Sequence, residues 1–475
     1  GMDGASLPES DLCKSIRAMF PHVMQADDLQ GEDISDIRKI GVAEGAFGAL
    51  ALQMGDAAPG KPRGMWGGVY QWYQSNEQRR TELLTRAVSY TNAAQQLPER
   101  QMARLYKDGI HTSVSRLERY SQCPFSYFIE YTLKAKERKI LKIGAPDIGS
   151  IMHSVLEAFT KRITAEGIAW RDIDDAYCEA SIAAIIDELC EQIFTGSPIM
   201  GKPTQYLLLR LKRSLVRCAK LLVMHIAAGR FEPAGSEVRF GDDGRLSAVV
   251  VDLSSGKKLK IQGVIDRVDA CETEHGTYYR VIDYKSGAKT FSLAGIYHQL
   301  DLQLAVYLDA ASQLKAGAKP AGMLYFRIQE PMVAAAAPLT EEEAAAAVQD
   351  SMRLDGLVLN DEAVVRDMDR DFADGSAFLP VKVNKDGTIR QSASVATMQQ
   401  FGVLSKYVKQ TLKQIGDNIL RGRIDIAPYQ NGELSPCMYC AYKSVCKFDP
   451  ARAGNRYRVC EKVKASELWD KLNQE

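Results

Sequence analysis

Two stretches constrain this chain more than any others: Gly263-Val264-Ile265-Asp266-Arg267-Val268-Asp269 and Val281-Ile282-Asp283-Tyr284-Lys285-Ser286-Gly287. Each is an apolar, strand-like run that delivers an acidic residue near one end. Side chains at i and i+2 share a strand face, so Asp283 and Lys285 are expected to point the same way. Two hard carboxylates with water suit Mg2+ or Mn2+. Such an ion lowers the pKa of bound water and neutralises charge on a phosphate. A Lys beside it can orient or deprotonate a nucleophile and stabilise the transition state of phosphoryl transfer. The plain alternative is a surface hairpin carrying a salt bridge.

The rest of the chain sets limits on that reading. Of 475 residues, 46% are hydrophobic and 25% charged, which excludes wholesale disorder and fibrous repeats. At roughly 100–200 residues per domain the length suggests two to four domains. Lys+Arg and Asp+Glu balance at 60 each, excluding a nucleic-acid binder that works by bulk charge but not a local basic groove. No P-loop motif and no apolar run near the roughly 20 residues of a membrane span occur, and no signal peptide opens the chain. A soluble, cytoplasmic protein is expected. Gly1 ahead of Met2 reads as a tag remnant, so residue 1 is not expected to be a natural start.

Residues 1–110 read as mostly helical, with helices at Ser75–Arg86 and Ala87–Leu105 and a Gly/Pro-rich loop at Ala57–Gly68. A helix is expected over Ile148–Ile163, and two or three more in an insertion at about 165–230. Strands are expected at Ser236–Phe240, Ser247–Leu253, Lys258–Asp269 and Tyr278–Tyr284, then a helix over Ile296–Leu314 and a strand at Gly322–Ile328. Thr340-Glu341-Glu342-Glu343 opens a capped helix, and another spans Thr397–Leu420. The expectation is an α/β fold: a mixed sheet flanked by helices, with helical insertions.

Neighbours of the acidic strands sharpen the chemistry. His153 stands on the preceding helix, just off its apolar stripe. After the strands, Gln299, Gln303 and Tyr307 recur four apart on one helical face. A structural His and a solvent-facing polar stripe are the plain readings of these. Taken in order, H…GxxDRxD…DYK…QxxxY resembles the RecB-family nucleases of the PD-(D/E)XK superfamily. That resemblance implies metal binding by His153, Asp266, Asp283 and the backbone carbonyl of Tyr284. It also implies a catalytic Lys285, with Gln303 and Tyr307 supporting the site and the nucleic acid.

Cys437, Cys440 and Cys446 form C-x2-C-x5-C, a spacing that suits zinc or an iron–sulfur cluster and needs a fourth ligand. By sequence the candidates are Cys460 and Cys123. The other cysteines, Cys13, Cys178, Cys190, Cys218 and Cys271, are scattered and read as small apolar residues. Ser113-Val114-Ser115-Arg116-Leu117-Glu118-Arg119-Tyr120, then Cys123-Pro124-Phe125 and the tail cysteines, is similar to the iron–sulfur nuclease domain of the AddB family, from AddAB-type helicase–nucleases. The resemblance covers about residues 111–470. It implies a [4Fe–4S] cluster on Cys123, Cys437, Cys440 and Cys446, clamping a nuclease domain at 111–475 through a tail at 430–450. It also implies a helicase–nuclease A subunit (AddA) as partner, single-stranded DNA ends as substrate and a role in double-strand-break repair. Residues 1–110 would be the remnant of a helicase-like region in a longer protein, whose own functions do not carry over.

For the DNA path, Arg210, Arg213, Arg217 and Lys220 recur along one stripe of a predicted helix and could neutralise consecutive phosphates. Lys134, Lys136, Arg138, Lys139 and Lys142 form a second basic run. A solvated helix face is the plain reading of each. The rivals to a catalytic nuclease of this type are a CRISPR-associated iron–sulfur exonuclease, a non-catalytic DNA-end-binding module and a zinc-stapled scaffold.

Overall fold

The computed structural model describes residues 10–22, 37–56, 62, 64–89, 96–136, 145–194, 202–287, 289–328, 338–372, 375–450 and 455–474. They fall into two compact units, residues 1–91 and 92–475. The first unit is helical, with a small core of Leu50, Met54, Trp66, Tyr73 and Leu84. Its expected Ser75–Arg86 helix is two helices, Trp66–Asn76 and Gln78–Val88, because Glu77 leaves helical dihedrals at φ −139°. The expected Ala57–Gly68 loop yields to the first of these at Trp66, whose ring is buried.

The expected Ala87–Leu105 helix is also interrupted. Residues 90–95 lie outside the described set, and Pro98 starts a new short helix, Glu99–Leu105. That helix belongs to the second unit, where the Leu97 N–H donates to the Gly422 carbonyl at 3.0 Å.

The second unit is built on strands β1 (Ile110–Thr112), β2 (Glu232–Phe240), β3 (Val249–Asp252), β4 (Lys258–Ile261), β5 (Gly263–Thr273), β6 (Gly276–Lys285), β7 (Lys319–Arg327), β8 (Asp355–Leu359) and β9 (Val395–Ala396). Six of them form a mixed sheet in the order β2-β5-β6-β7-β8-β9. β2, β5 and β6 run antiparallel, whereas β6 and β7 are parallel, joined by a helical crossover. β1, β4 and β3 make a second small sheet.

The expected Lys258–Asp269 strand is therefore two strands in two sheets. The change falls at Gln262, whose N–H is taken by the Thr112 carbonyl at 2.9 Å. Gly263 then passes so close under Phe240 that a Cβ would lie 2.9 Å from its ring, which explains a glycine at this crossing.

Helices cover both faces of the large sheet. Gln303–Ala311 lies over β6 and β7, and the 23-residue helix Met398–Leu420 packs on it. On the opposite face, His225 of the helix Lys202–Ala227 meets Phe326 of β7, ring centroids 5.4 Å apart. The expected insertion comprises that helix, Asp175–Phe194 and a short 3-10 turn at Trp170–Asp172. The capping box at Thr340 forms with Glu343 as expected. Among the described residues no helix is long and apolar enough to cross a membrane.

Candidate active site

β5 and β6 lie side by side in mid-sheet, with Arg267 opposite Ile282 and Val268 opposite Val281. Strand alternation then sends Asp266, Asp283 and Lys285 to one face and Arg267, Asp269, Arg280 and Tyr284 to the other. The first set opens into a cleft of about 580 Å3 at the end of β6. Within it the Lys285 ammonium ion-pairs with Asp283 and donates to Gln303 Oε1 at 2.9 Å. The Gln303 amide donates to Asp283 Oδ1 and contacts the Tyr307 hydroxyl, both at 3.0 Å. The Asp266 carboxylate accepts the Tyr284 N–H at 2.5 Å and lies 3.3 Å from His153 Nδ1.

The crossover supplies Gln303 in an unexpected way. The expected Ile296–Leu314 helix is two helices, Leu293–Tyr297 and Gln303–Ala311, with Gln299 between them in the left-handed region at φ +65°. Gln299 is thus off the Gln303/Tyr307 face, and its side chain accepts from Ser121. The second helix begins where buried Glu118 accepts the N–H groups of Leu302 and Gln303, at 2.7 and 3.1 Å. A carboxylate at a helix N-terminus satisfies orphan donors and favours the dipole, so Glu118 fixes the residue that holds Lys285. Gly149 lets the His153 helix approach, since a Cβ there would meet Ser286 Oγ at 2.9 Å.

Negative charge is crowded in this cleft. Burial, then the Asp266 charge, raises the Asp283 carboxyl against the opposing pull of Lys285. Burial lowers the His153 imidazole, but its hydrogen bond to Asp266 and the charges of Asp266 and Asp283 outweigh that, and the net shift is upward. Glu237, which the sequence reading missed, is pushed up to about 7 by burial, then by Asp266 and Glu157. Among the described residues, His153, Glu237 and Asp266 are the only group of three or more His, Cys, Asp or Glu with ligand atoms within 4.8 Å of one another. Glu237 adopts φ +47° in mid-strand, a conformation costing a non-glycine residue about 1–3 kcal/mol. Carboxylates gathered at such cost fit a hard divalent cation.

On the back face, Asp269 is completely buried between two arginines. Arg267 Nε lies 2.8 Å from its Oδ1, and Arg280 Nε 2.9 Å from its Oδ2. The DRxD spacing therefore has two outlets: Asp266 faces the cleft, while Arg267 and Asp269 brace the sheet beneath it.

Elsewhere in the unit, Cys123, Cys437, Cys440 and Cys446 line a cavity of about 190 Å3. Cys460 does not line it. It is buried nearby in the tail, with its N–H on the Gln430 carbonyl. Of the two candidate fourth ligands, the fold brings Cys123 to the other three. Burial raises the Cys123 and Cys437 thiols.

The basic stripe is only partly as expected. Arg210 and Arg213 are exposed and Arg217 is half-buried. Lys220 departs from the expectation, because Asp175 and Glu179 of the neighbouring helix hold it at 2.9 and 2.7 Å. In the second run Lys134 and Lys136 are exposed, whereas Arg138, Lys139 and Lys142 lie outside the described residues.

A family model described as the PD-(D/E)XK nuclease superfamily matches residues 111–447. Curated relatives include the AddB component of the ATP-dependent helicase/deoxyribonuclease of Acetivibrio thermocellus, 35% identical over 483 residues, and that of Thermoanaerobacter sp. (strain X514), 36% identical over 486. Each alignment takes in 100% of this chain and 42% of the relative, so the chain spans less than half the length of these proteins.

Proposed function

Because this chain belongs to the PD-(D/E)XK nuclease superfamily, we propose that it hydrolyses DNA phosphodiester bonds with Mg2+ or Mn2+, as the nuclease part of an AddB-type helicase–nuclease component. The observation that carries the reading is the convergence of Asp266, Asp283, Lys285 and Gln303 on one sheet face. His153, Asp266 and Asp283 would hold the ion, with the Tyr284 backbone and Glu237 completing the cage. Once bound, the ion supplies Lewis-acid stabilisation of phosphate charge and a more acidic water.

The chain's own groups do the rest. Lys285 presents a positive charge where the phosphate gains negative charge, and its pairing with Asp283 fixes the ammonium before substrate arrives. Gln303 bridges Lys285, Asp283 and Tyr307, so the dyad keeps one geometry. Glu118 holds the start of the Gln303 helix.

Cys123, Cys437, Cys440 and Cys446 would hold a [4Fe–4S] cluster that joins the two ends of the nuclease domain. Support comes from the four thiols lining one cavity and from the C-x2-C-x5-C spacing of three of them, which suits such a cluster. The separate helical unit, residues 1–91, is then the end of a helicase-like region. The proposed setting is the cytoplasm, beside the AddA-type partner of such complexes, on single strands unwound at a double-strand break.

The test is degradation of single-stranded DNA with and without Mg2+, comparing the protein with Lys285→Ala. We expect metal-dependent cleavage that the substitution lowers by about 10²–10³-fold. Equal activity in both proteins would sink the assignment of Lys285. Absence of cleavage in either would favour a DNA-end-binding module.

A further inference from the structure

We propose that a second, basic cleft beside the catalytic strand end binds phosphates of the DNA strand flanking the scissile bond; this rests on the nuclease reading. The cleft, about 620 Å3, lies over the ends of β7 and β8 and shares no lining residue with the first. Its position follows from the sheet. β6 and β7 are parallel with Lys285 opposite Arg327, so two cations end adjacent strands at the same edge. β8 is antiparallel and starts with Asp355 opposite Tyr325, which brings Arg353 to that edge as well. At about 4.8 Å between neighbouring strands, the cleft begins roughly one strand from Lys285 and ends about three strands away.

The charges there do not balance. Four cations, Arg327, Arg353, Lys382 and Arg390, face two carboxylates, Asp350 and Asp355. Asp350 is committed to Arg353 at 2.7 Å. Asp355 accepts the Phe291 N–H at 2.8 Å, and its ion pair with Arg327 is long at 3.9 Å. Arg327 is the residue most in need of an acceptor: its buried Nε has no hydrogen-bond partner among the described residues. A buried guanidinium N–H without an acceptor is costly, and an incoming anion on the same group offsets that cost.

Lys382 and Arg390 have no ion pair among the described residues. They are held side by side by a small hairpin in which the Arg390 N–H donates to the Lys382 carbonyl at 2.7 Å and the Asn384 N–H to Thr388 at 2.8 Å. On the catalytic side, Lys285 and Lys289 place their ammonium groups 5.2 and 5.5 Å from the Tyr325 ring centroid, two residues before Arg327. Basic side chains thus line the strand ends from the catalytic lysine across Arg327 to the hairpin; Lys285 and Lys289 are paired with Asp283 and Asp301, whereas Lys382 and Arg390 have no ion pair among the described residues. That pattern suits a polyanion lying along the sheet edge, with one phosphate in the active site and others beside it.

The experiment measures binding of single-stranded oligonucleotides of increasing length, without divalent metal, at several salt concentrations. The full chain is compared with a Lys382→Glu/Arg390→Glu variant and with the milder Lys382→Gln/Arg390→Gln. Hydrolysis of bis(p-nitrophenyl) phosphate with Mg2+, a diester too small to reach the second cleft, is read in parallel. The proposal expects the affinity gained with oligonucleotide length to be lost and the salt slope to fall by about 1.4, since each phosphate contact on a single strand contributes about 0.7. Small-diester hydrolysis stays at the wild-type rate.

Unchanged affinity and slope in both variants would overturn the proposal. So would loss of small-diester hydrolysis, which would place the damage in the catalytic cleft. Failure of the unmodified protein to bind longer strands more tightly also overturns it. In that case Mg2+-dependent small-diester hydrolysis, abolished by Lys285→Ala, leaves the nuclease reading standing.

Discussion

The carboxylate cleft and the cysteine-lined cavity belong to one unit but are held in opposite ways. Asp266 and Asp283 ride on strands of eleven and ten residues in the middle of a six-stranded sheet, and both are buried. Their positions are fixed by ladder hydrogen bonds before any ligand arrives. Of the tail cysteines, Cys437 rides on a four-residue turn, Pro436–Tyr439, Cys440 follows it in extended conformation, and Cys446 ends a four-residue helix, Lys443–Cys446. Tyr439 beside them is 89% exposed, and the local pairing is a two-residue match of Tyr429–Gln430 with Arg458–Val459. What ties this region down comes from far away in sequence: Tyr120 to the Arg423 carbonyl, the Phe125 N–H to the Asp425 carbonyl and Tyr442 to the Ala135 carbonyl. A catalytic site on regular structure is organised by the fold itself, whereas a closure made of loops gains most from an added cross-link.

The sharpest way to break this contrast is Cys123→Ser. If the cysteines hold a [4Fe–4S] cluster, the variant loses its brown colour and its iron. Because the link closes a loop of roughly 300 residues, it also loses about 6 kcal/mol of stability in the chain-entropy picture. Lys285→Ala, by contrast, should melt with the unmodified protein. A Cys123→Ser protein that keeps both iron and melting temperature would end the idea of a staple.

The sheet region has its own weakness, toward acid. His225 is fully buried against Phe326 and Phe378. Burial, then the charges of Arg267 and Arg280, pushes its imidazole down to about 3. The unfolded chain takes up a proton near pH 6.5 that the folded chain refuses, so stability is full above 6.5 and falls as pH drops below it, by up to about 1.4 kcal/mol per unit. Between pH 6.5 and 5 about 2 kcal/mol should go, and His225→Leu should flatten that limb in denaturant titrations. Equal slopes for the two proteins would refute the account.

The smallest expected effect concerns Glu237. If its strained backbone serves the metal cage, Glu237→Gln should weaken Mn2+ binding about tenfold in a calorimetric titration, while melting stays within the usual range of surface changes. Unaltered affinity would leave Glu237 outside the cage.

Much of the carboxylate site was legible because it depends on parity and period. Asp283 and Lys285 share a face as any i, i+2 pair on a strand must, and Gln303 and Tyr307 meet at i, i+4 on a helix. Glu237 was not legible. In Ser236–Phe240 it alternates with apolar residues like any solvent-facing residue, and only the register with β5 turns it toward Asp266. Lys220 looked like its neighbours on the basic stripe until the Asp175–Phe194 helix supplied two acids to hold it.

Sequence alone determined the order of the elements, the pairing of acids with a lysine and the cysteine spacing, because each is set by residues within a few positions of one another. Tertiary structure decided where apparently continuous segments end. The Thr112 carbonyl takes the Gln262 N–H and separates β4 from β5, and Glu118 takes the Leu302 and Gln303 N–H groups and starts the helix that braces the lysine. It also decided that Cys123, and not Cys460, faces the tail cysteines. A backbone donor goes to whichever acceptor the fold brings to it, and that acceptor can lie more than a hundred residues away, beyond the reach of any local periodicity.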